Sequence, residues 1–392
     1  GWLILQLTAT PWVAVAFGRN SATWLHEGSP PVIADDDMHL IFAQQYLHLN
    51  LTERDGEVAV SPPDQAAATP GAVRWVHDHR AQLASALDKQ AHGHQLPSLA
   101  NSYYDDPGER PDRFCTFVGE GMNVSVAVTY MPDLSDPENP HLYRYFHGAG
   151  KVQASSDHAD MRLQRSLGHI SALVHGNPEN VLVVACGAGV TAGSFVPYDS
   201  VKRIVICDIE PMVPAHVAPL FANENYSVVS DPRTQVVLDD GRHFVRTTKE
   251  KFDIITSDPI DPWVKGCAAL NTVEYYEMCK EPLKPGGVMA LSIPLYENSE
   301  ESAKSIIATF FKVFPNGILW SNDVTKGQGY DAVLFGTVEP TTIDVDKMQA
   351  FLDSHPKVKK SLTDVGFGAP EGSAASDSSS TVAIDLLSSF AA

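Results

Sequence analysis

Residues 252–263, FDIITSDPIDPW, join an apolar segment to two closely spaced carboxylates. The segment up to Ser257 is rich in β-branched and aromatic residues, as a buried β-strand is. Asp258 and Asp261 follow it, and each precedes a proline, which fixes its own φ angle and restricts the residue before it. The sequence therefore predicts a buried strand that carries two fixed acids just beyond its carboxyl end.

Similar apolar segments alternate with helical or loop segments between residues 180 and 338. A helix that begins near Ser299 places five apolar residues on one stripe, as a helix packed against a sheet requires: Ile306, Ile307, Phe310, Phe311 and Phe314. Strands that are apolar on both faces and alternate with such helices predict an α/β fold with a doubly wound, mostly parallel sheet. The predicted strands are residues 181–185, 203–207, 252–257, 288–293 and 331–338.

The rest of the chain divides by composition. Residues 55–72 are rich in Pro, Ala and Gly and predict a linker, and residues 73–100 predict a helix. Short alternating runs from 113 to 154 predict a small antiparallel β region. The acidic stretch 34–40, ADDDMHL, is either surface charge or part of an interface. The predicted domains are an N-terminal region of unknown role (1–110), a small β domain (111–160), the doubly wound domain (161–340) and a C-terminal helix with a flexible tail (341–392).

Composition and charge argue against several functions. The 392 residues are 44% hydrophobic and 19% charged, which is typical of globular proteins. A net charge of −20 argues against a nucleic-acid partner. The five cysteines form no CxxC pair, which indicates reduced thiols and a cytoplasmic location. No pair of histidines has a convincing metal-binding spacing, so we expect no metal.

The first 18 residues contain no Asp, Glu, Lys or Arg. This length reaches the lower limit of a membrane-spanning helix, although Gln6, Thr8 and Pro11 weaken the pattern. Two alternatives stay open. The segment is either the remnant of a membrane segment, which would attach the protein to the cytoplasmic face of a membrane, or a buried or interfacial apolar segment.

The carboxyl ends of the strands are where doubly wound sheets bind ligands. After residues 181–185 comes CGAGVTAG, in which Gly187 and Gly189 allow a tight turn and a close approach of a ligand to the backbone. Asp208 follows the next strand, nineteen positions beyond Gly189. A carboxylate there can accept hydrogen bonds from both ribose hydroxyls of a nucleoside.

A third strand end carries Asp240 and Gly241, in the sequence VVLDDGRHF. An acid at this place can accept a hydrogen bond from an adenine amino group, and the alternative is a turn with a solvated pair of acids. The three strand ends together suit NAD as well as S-adenosylmethionine.

The order of the later elements resembles the spermidine synthase group of S-adenosylmethionine-binding Rossmann proteins. The segments that carry this resemblance are KVQAS, GAGVTAG, SDPIDPWVKGCAAL, YYEMCKEPLKPGGV and FFKVFPNGILW, and it covers residues 113–340. It is closest to spermidine-synthase-like domains that some relatives fuse to a multi-pass membrane segment. The resemblance implies a class I methyltransferase-like Rossmann domain and a homodimer.

The resemblance also implies roles for individual residues. Asp258 matches the general base, and Asp261 matches the partner acid that holds the acceptor amine. Gln153, in GKVQA, matches a glutamine that contacts the nucleoside part of the donor. Asp208 matches the ribose-binding acid and Asp240 the acid on the adenine side.

These roles explain the two carboxylates after the strand. An amine is protonated in water and must lose a proton before it attacks the carbon next to a sulfonium. A carboxylate can hold the ammonium and then accept that proton, while residues 263–270 would form a lid. The resemblance thus implies a transferase that moves an aminopropyl or related alkyl group to a small amine. The donor, as co-substrate, would be decarboxylated S-adenosylmethionine or S-adenosylmethionine.

The sequence departs from the family pattern in two places. Ala188 stands where the family has an aspartate that binds the amine of the donor. The family's Tyr-His-Glu run, which helps to bind the polyamine, falls on residues 163–165 when His169 is taken as the anchor. Arg162 and Arg165 add positive charge, which favours a carboxylate and hence S-adenosylmethionine itself as donor. The alternative is that both arginines lie on a solvated helix face.

Two aromatic residues, Trp263 and Tyr275, are further candidates for a substrate pocket, together with Arg162, Arg165 and His169; the alternative for both rings is packing beside the sheet. Two other functions also stay open. One is a methyltransferase on the same fold. The other is a non-catalytic nucleoside-binding domain of a membrane-fused protein.

Overall fold

The computed structural model describes residues 33–54, 57–61, 68–96, 114–259, 261–264, 266–295, 298–323, 329–340, 342–368 and 382–388. The chain divides into two compact units, Gly1–Ser156 and Asp157–Ala392, whereas the sequence predicts boundaries at residues 110 and 160. The apolar segment 1–18 and most of the predicted flexible tail lie outside the described residues. Within the described ranges no helix is long and apolar enough to cross a bilayer.

The first unit contains the predicted antiparallel sheet between residues 113 and 154, with strand order β3-β4-β5-β6. The predicted linker 55–72 is wrong in part, because it includes a hairpin strand and the start of a helix. The predicted helix 73–100 is two helices, separated at His79. The elements are α1 (Asp35–Ile41), a π-helical turn (Phe42–Tyr46), β1 (Leu51–Arg54), β2 (Glu57–Val60), α2 (Pro70–Asp78), α3 (Arg80–Ala91), β3 (Phe114–Glu120), β4 (Ser125–Asp133), β5 (His141–Gly148) and β6 (Lys151–Ser155).

The acidic stretch at the start of α1 is not simply surface charge. Asp37 is buried, and its Oδ2 lies 2.7 Å from Nε2 of His94. Asp36 binds Lys89 and accepts a hydrogen bond from Ser85 at 2.7 Å. The stretch therefore fastens α1 to α3 and the residues that follow it.

The second unit is built on a seven-stranded sheet with the order β12-β13-β11-β10-β7-β8-β9. The pairs among β11, β10, β7, β8 and β9 are parallel, and β13 is antiparallel to both of its neighbours. This confirms the predicted mostly parallel α/β fold; β12 has no counterpart among the predicted strands. The strands are β7 (Asn180–Val184), β8 (Arg203–Asp208), β9 (Thr234–Leu238), β10 (Phe252–Ser257), β11 (Leu283–Pro294), β12 (Ile318–Asp323) and β13 (Gly329–Thr337).

Helices cover this sheet, and several of them begin at capping side chains. Asp157 caps the first of them, and Ser299 caps the helix whose Ile306 and Phe310 are buried, as predicted. The helices are α4 (His158–His175), α5 (Val190–Gly193), α6 (Gly241–Thr247), α7 (Val273–Lys280), α8 (Glu300–Val313), α9 (Val345–Ser354), α10 (Pro356–Thr363) and α11 (Val382–Ser388).

The cap of α7 differs from the sequence pattern. Asn271 and Glu274 have the spacing of a capping box, but the hydroxyl of Thr272 accepts the hydrogen bond from the Tyr275 backbone N–H, at 3.2 Å. The amide oxygen of Asn271 instead accepts a hydrogen bond from the Tyr276 hydroxyl at 3.1 Å. The helix thus begins one residue later than the pattern indicates.

Candidate active site

The glycine-rich turn after β7 has a backbone that favours glycine. Gly187 and Gly189 have φ angles of 53° and 79°. No described atom lies within 4 Å of the position that a Cβ of Gly187 would take. A Cβ on Gly189 would lie 2.9 Å from the Nδ2 atom of Asn225. The turn is therefore open at Gly187 and closely packed at Gly189.

Asn225 binds the glycine-rich turn through its side-chain amide. Its side chain is fully buried, and its amide donates hydrogen bonds to the carbonyls of Ala188 and Ala218, at 2.8 and 2.7 Å. Sequence reasoning missed this residue, because it lies 37 positions beyond Ala188. The amide fixes the backbone of the turn without contributing a charge.

Asp208, at the end of β8, binds the turn directly. Its Oδ2 accepts a hydrogen bond from the Cys186 backbone N–H at 2.7 Å, and its Oδ1 accepts one from the Glu210 N–H at 2.8 Å. The residue is 7% exposed, and burial raises the pKa of its carboxyl, opposed by the two N–H donors and reinforced by the Glu210 charge. The structure thus brings Asp208 and the turn together.

The neighbouring strand ends expose apolar side chains that sequence reasoning missed. Ile209 follows Asp208 and is 51% exposed, and Leu238, which pairs with Asp208, is 57% exposed. Large apolar residues at the carboxyl ends of strands, rather than within them, are the signal that could have identified both. They add apolar surface beside the carboxylate.

Asp240 begins α6 as its N-cap. One of its carboxylate oxygens accepts hydrogen bonds from the N–H groups of Arg242 and His243, at 2.8 and 3.0 Å, and the side chain is exposed. A Cβ added to Gly241 would lie 2.5 Å from Cγ1 of Val184, so this glycine lets α6 start close to β7. Asp240 is therefore at the same edge of the sheet as the turn, and its role towards adenine stays a prediction.

Asp258 lies just beyond β10 and contacts the neighbouring strand β11. Its Oδ1 accepts a hydrogen bond from the hydroxyl of Ser292. Burial raises the pKa of this carboxyl; the Ser292 bond opposes the rise, and the charge of Asp261 adds to it. Asp261 is itself buried. The two acids of the opening stretch thus lie close enough for the charge of Asp261 to act on Asp258.

The end of β10 is fixed to the strand that carries the turn. Ser257 donates a hydrogen bond to the carbonyl of Val184 at 3.1 Å. Because β10, β7 and β8 are adjacent and parallel, Asp258, the glycine-rich turn and Asp208 all lie at one edge of the sheet.

The arginines of α4 do not lie on a solvated face. Arg162 and Arg165 are 8% and 6% exposed. Arg162 donates to the carbonyl of Val365 at 3.2 Å, and its guanidinium carbon lies 3.6 Å from the centroid of the Phe367 ring. Arg165 donates to the carbonyl of Ser361 at 2.9 Å. These contacts fasten the segment around α10 to α4, so the solvated-face alternative is wrong.

His169 takes part in the same attachment. Its Nε2 and the hydroxyl of Ser361 are 2.8 Å apart, and its Nδ1 lies 3.0 Å from the hydroxyl of Tyr198. Burial, and then the charge of Arg165, lower the pKa of this imidazole to about 3, so it stays neutral. Its contacts give it a structural role instead of the predicted place at a pocket.

The remaining three candidates have different surroundings. Tyr275 is fully buried in the core formed with β10 and β11, which makes it a packing residue. Trp263 is 44% exposed. Gln153 lies in β6 of the first unit and donates a hydrogen bond to the carbonyl of Gly148 at 3.4 Å.

Cys186 and Cys207, near the ends of β7 and β8, are buried and free. Within the described ranges, no group of three or more His, Cys, Asp or Glu side chains is placed to hold a metal ion.

The part of the chain that carries this site is similar to proteins of known function. Residues 160–319 match the family model of the spermine/spermidine synthase domain. The polyamine aminopropyltransferase of Thermotoga petrophila is 30% identical over 162 residues, which cover 41% of this chain and 54% of that protein. The polyamine aminopropyltransferase of Aeropyrum pernix is 33% identical over 169 residues, with coverages of 42% and 53%. The chain thus spans about half the length of the curated relatives it matches.

A solved structure supports the fold over a longer stretch. It is a spermidine synthase in complex with the transition state analogue AdoDATO, which is 21% identical with a TM-score of 0.52 and covers 71% of this chain and 85% of its own. The resemblance to the spermidine synthase group that the sequence motifs indicate is therefore confirmed for residues 160–319.

Proposed function

We propose that this chain transfers an aminopropyl or related alkyl group from an S-adenosylmethionine-type sulfonium to a small amine. One observation carries the proposal: Asp258, with Asp261 beside it, lies at the same edge of the sheet as the glycine-rich turn and Asp208. The spermine/spermidine synthase match of residues 160–319 supports it.

The donor would lie over the glycine-rich turn. Each oxygen of Asp208 accepts one backbone N–H and retains a lone pair for a ribose hydroxyl. The exposed side chains of Ile209 and Leu238 offer apolar surface for an adenine ring, and the exposed carboxylate of Asp240 would accept from its amino group. The open space at Gly187 would admit the sulfonium end of the donor.

The acceptor would reach the two acids as an ammonium ion. Asp261 would hold it by charge, and Asp258 would take its proton, since a carboxyl with a raised pKa is a stronger base than an ordinary one. The amine nitrogen then attacks the carbon next to sulfur, the C–S bond breaks, and its electron pair stays on sulfur. The nucleoside product is the neutral thioether 5′-methylthioadenosine.

The contacts of α4 bear on the choice of donor that the proposal makes. Arg162 and Arg165 are the residues that the sequence offers for binding a donor carboxylate, and both contact the C-terminal segment instead. The argument for S-adenosylmethionine as donor thereby loses the support of these two arginines. The proposal takes decarboxylated S-adenosylmethionine as the donor, with Ala188 in place of the family's amine-binding aspartate.

The test is to incubate the purified chain with each sulfonium in turn and a panel of short monoamines and diamines, and to identify the products by mass spectrometry. We expect 5′-methylthioadenosine and an aminopropylated amine from decarboxylated S-adenosylmethionine. S-Adenosylhomocysteine would instead identify a methyltransferase. Nucleoside binding by calorimetry without any product would identify a non-catalytic domain. The homodimer, the cytoplasmic location and an N-terminal membrane attachment stay predictions.

A further inference from the structure

Ser292 is the side chain that contacts the carboxylate of Asp258 from the neighbouring strand. We propose that Ser292 is a positioning residue that holds the Asp258 carboxylate in one orientation and in its charged form. This inference rests on the proposed function, in which Asp258 is the general base. It assigns a role to a residue for which the sequence motifs indicate none.

The position of the hydroxyl is set by the sheet. Strands β10 and β11 are parallel, and their last registered pair is Ser257 with Leu291, so Asp258 and Ser292 are the next residues on each strand. On its other side β11 pairs with β13, where Ser292 lies opposite Val333. A strand held on both sides fixes a side chain more precisely than a loop does.

The charges around Asp258 explain what the hydroxyl does. The charged group that acts on it is Asp261, from the segment after β10, whereas β11 contributes the uncharged Ser292 and β7 the apolar end at Val184. Cys267, in the turn before α7, is a further titratable group beside Asp261, and burial raises the pKa of its thiol. Burial and Asp261 both disfavour a second negative charge, and the O–H of Ser292 favours it.

The bond also selects the oxygen that reacts. Because Oδ1 accepts the Ser292 hydroxyl, Oδ2 is the oxygen that takes the proton of the amine in the proposed reaction. Without the hydroxyl, the carboxylate can rotate about its side-chain bonds and is more readily protonated. The loss should therefore be greatest at low pH, where Asp258 must compete hardest to stay charged.

The experiment compares Ser292→Ala with a matched pair, Ser292→Thr and Ser292→Val, which have nearly the same shape but of which only the first keeps a hydroxyl. Ser257→Ala is the control, because it removes a neighbouring buried hydroxyl that binds Val184 instead. The first measurement is the titration of Asp258 in the unliganded chain by carbon-13 NMR of labelled aspartate carboxyls, with Asp258→Asn to assign the signal. The second is the pH profile of kcat/KM.

We expect Ser292→Ala and Ser292→Val to move the Asp258 titration to higher pH, and Ser292→Thr and Ser257→Ala to leave it near the wild-type position. The acid limb of kcat/KM should move in the same direction, with a loss of about tenfold at the acidic end that recovers at high pH.

An unchanged or lowered titration in both variants without the hydroxyl would overturn the proposal, and so would an equal loss of activity at every pH. Absence of transfer by the wild-type chain would contradict the proposed function instead. The NMR titration would in that case still decide whether Ser292 holds the charge of Asp258.

Discussion

Strand β10 has a carboxylate near each end, and the two are held in opposite ways. Near its start, Asp253 accepts three hydrogen bonds on one oxygen: from the backbone N–H groups of Glu179 and Asn180, at 2.9 and 2.8 Å, and from the Lys284 ammonium at 2.9 Å. Beyond its end, Asp258 accepts one from Ser292 and lies near a second acid.

The pKa values of the two carboxyls diverge accordingly. Burial would raise the pKa of Asp253, but the Lys284 bond and the two N–H donors lower it overall. Burial raises the pKa of Asp258, with Ser292 in opposition. A carboxylate surrounded by donors and a cation is fixed in charge, and one with a single donor is able to exchange a proton. The two ends of β10 thus contrast an acid held in its charged form with one that, in the proposed function, exchanges a proton.

The largest expected effect comes from Asp258→Asn, which keeps the shape and removes the base. We expect kcat/KM to fall by about 10²- to 10⁴-fold, the usual contribution of a general base. Initial rates of 5′-methylthioadenosine formation measure this loss, and thermal unfolding should show a fold at least as stable as the wild type. Full retained turnover would remove Asp258 from the mechanism.

Asp253→Asn should lower the stability of the fold and leave its activity unchanged. It leaves Lys284 without its carboxylate partner and weakens two backbone hydrogen bonds, so we expect the free energy of unfolding to fall by about 2–3 kcal/mol. Urea unfolding measures the loss. Under conditions where the variant is folded, kcat/KM should stay near the wild-type value. A catalytic defect as large as that of Asp258→Asn would break the comparison between the two ends of β10.

Ser361→Ala tests a second structural site, the attachment of α10 to α4, against the catalytic site proposed at Asp258. It removes the hydroxyl that lies 2.8 Å from Nε2 of His169 and leaves that buried nitrogen without this partner. We expect a loss of about 1–2 kcal/mol in the free energy of unfolding and unchanged kcat/KM, since the attachment is structural. A raised KM for the acceptor with unchanged stability would return His169 to the substrate pocket.

The smallest expected effect is a difference in pH dependence. The unfolded-state pKa of aspartate is about 3.9. Because the folded pKa of Asp253 is lowered, its stabilisation is present above that value and is lost as the pH falls through the folded pKa. Because the folded pKa of Asp258 is raised, its charged form destabilises the fold above that pKa, and the penalty disappears as the pH falls.

The measurement is urea unfolding of the wild type and both Asn variants, at neutral pH and at successive pH values down to below about 3.9. As the pH falls, the wild type should lose stability relative to Asp253→Asn and gain stability relative to Asp258→Asn. Slopes of the same sign would show that the two carboxyls do not differ as described.

The parts of the fold that local patterns specify were predictable. The parallel strands, the glycine-rich turn, and the places of Asp208 and Asp258 at strand ends all follow from a few neighbouring residues. The attachment of α10 to α4 was not predictable, because it depends on contacts between residues far apart in the sequence. Arg165 and Ser361 are 196 positions apart. Nothing near Arg165 in the sequence indicates which segment will cover it.

Two site residues show why chemistry is harder to predict than architecture. Ser292 stands in an apolar strand, and only the register of β10 against β11 brings its hydroxyl to Asp258. A tyrosine can line a pocket or fill a core, and the sequence around Tyr275 does not distinguish the two. Its complete burial shows that it fills the core.

The amide of Asn225 has a consequence for how this domain can vary. It ties the turn at Ala188 to Ala218, so the short segment between Ala218 and Asn225 sets where the amide lies. An insertion or deletion there would shift the amide and deform the backbone on which the donor would rest, although no reacting group had changed. The length of this segment is therefore constrained, as residue identity is at the turn itself.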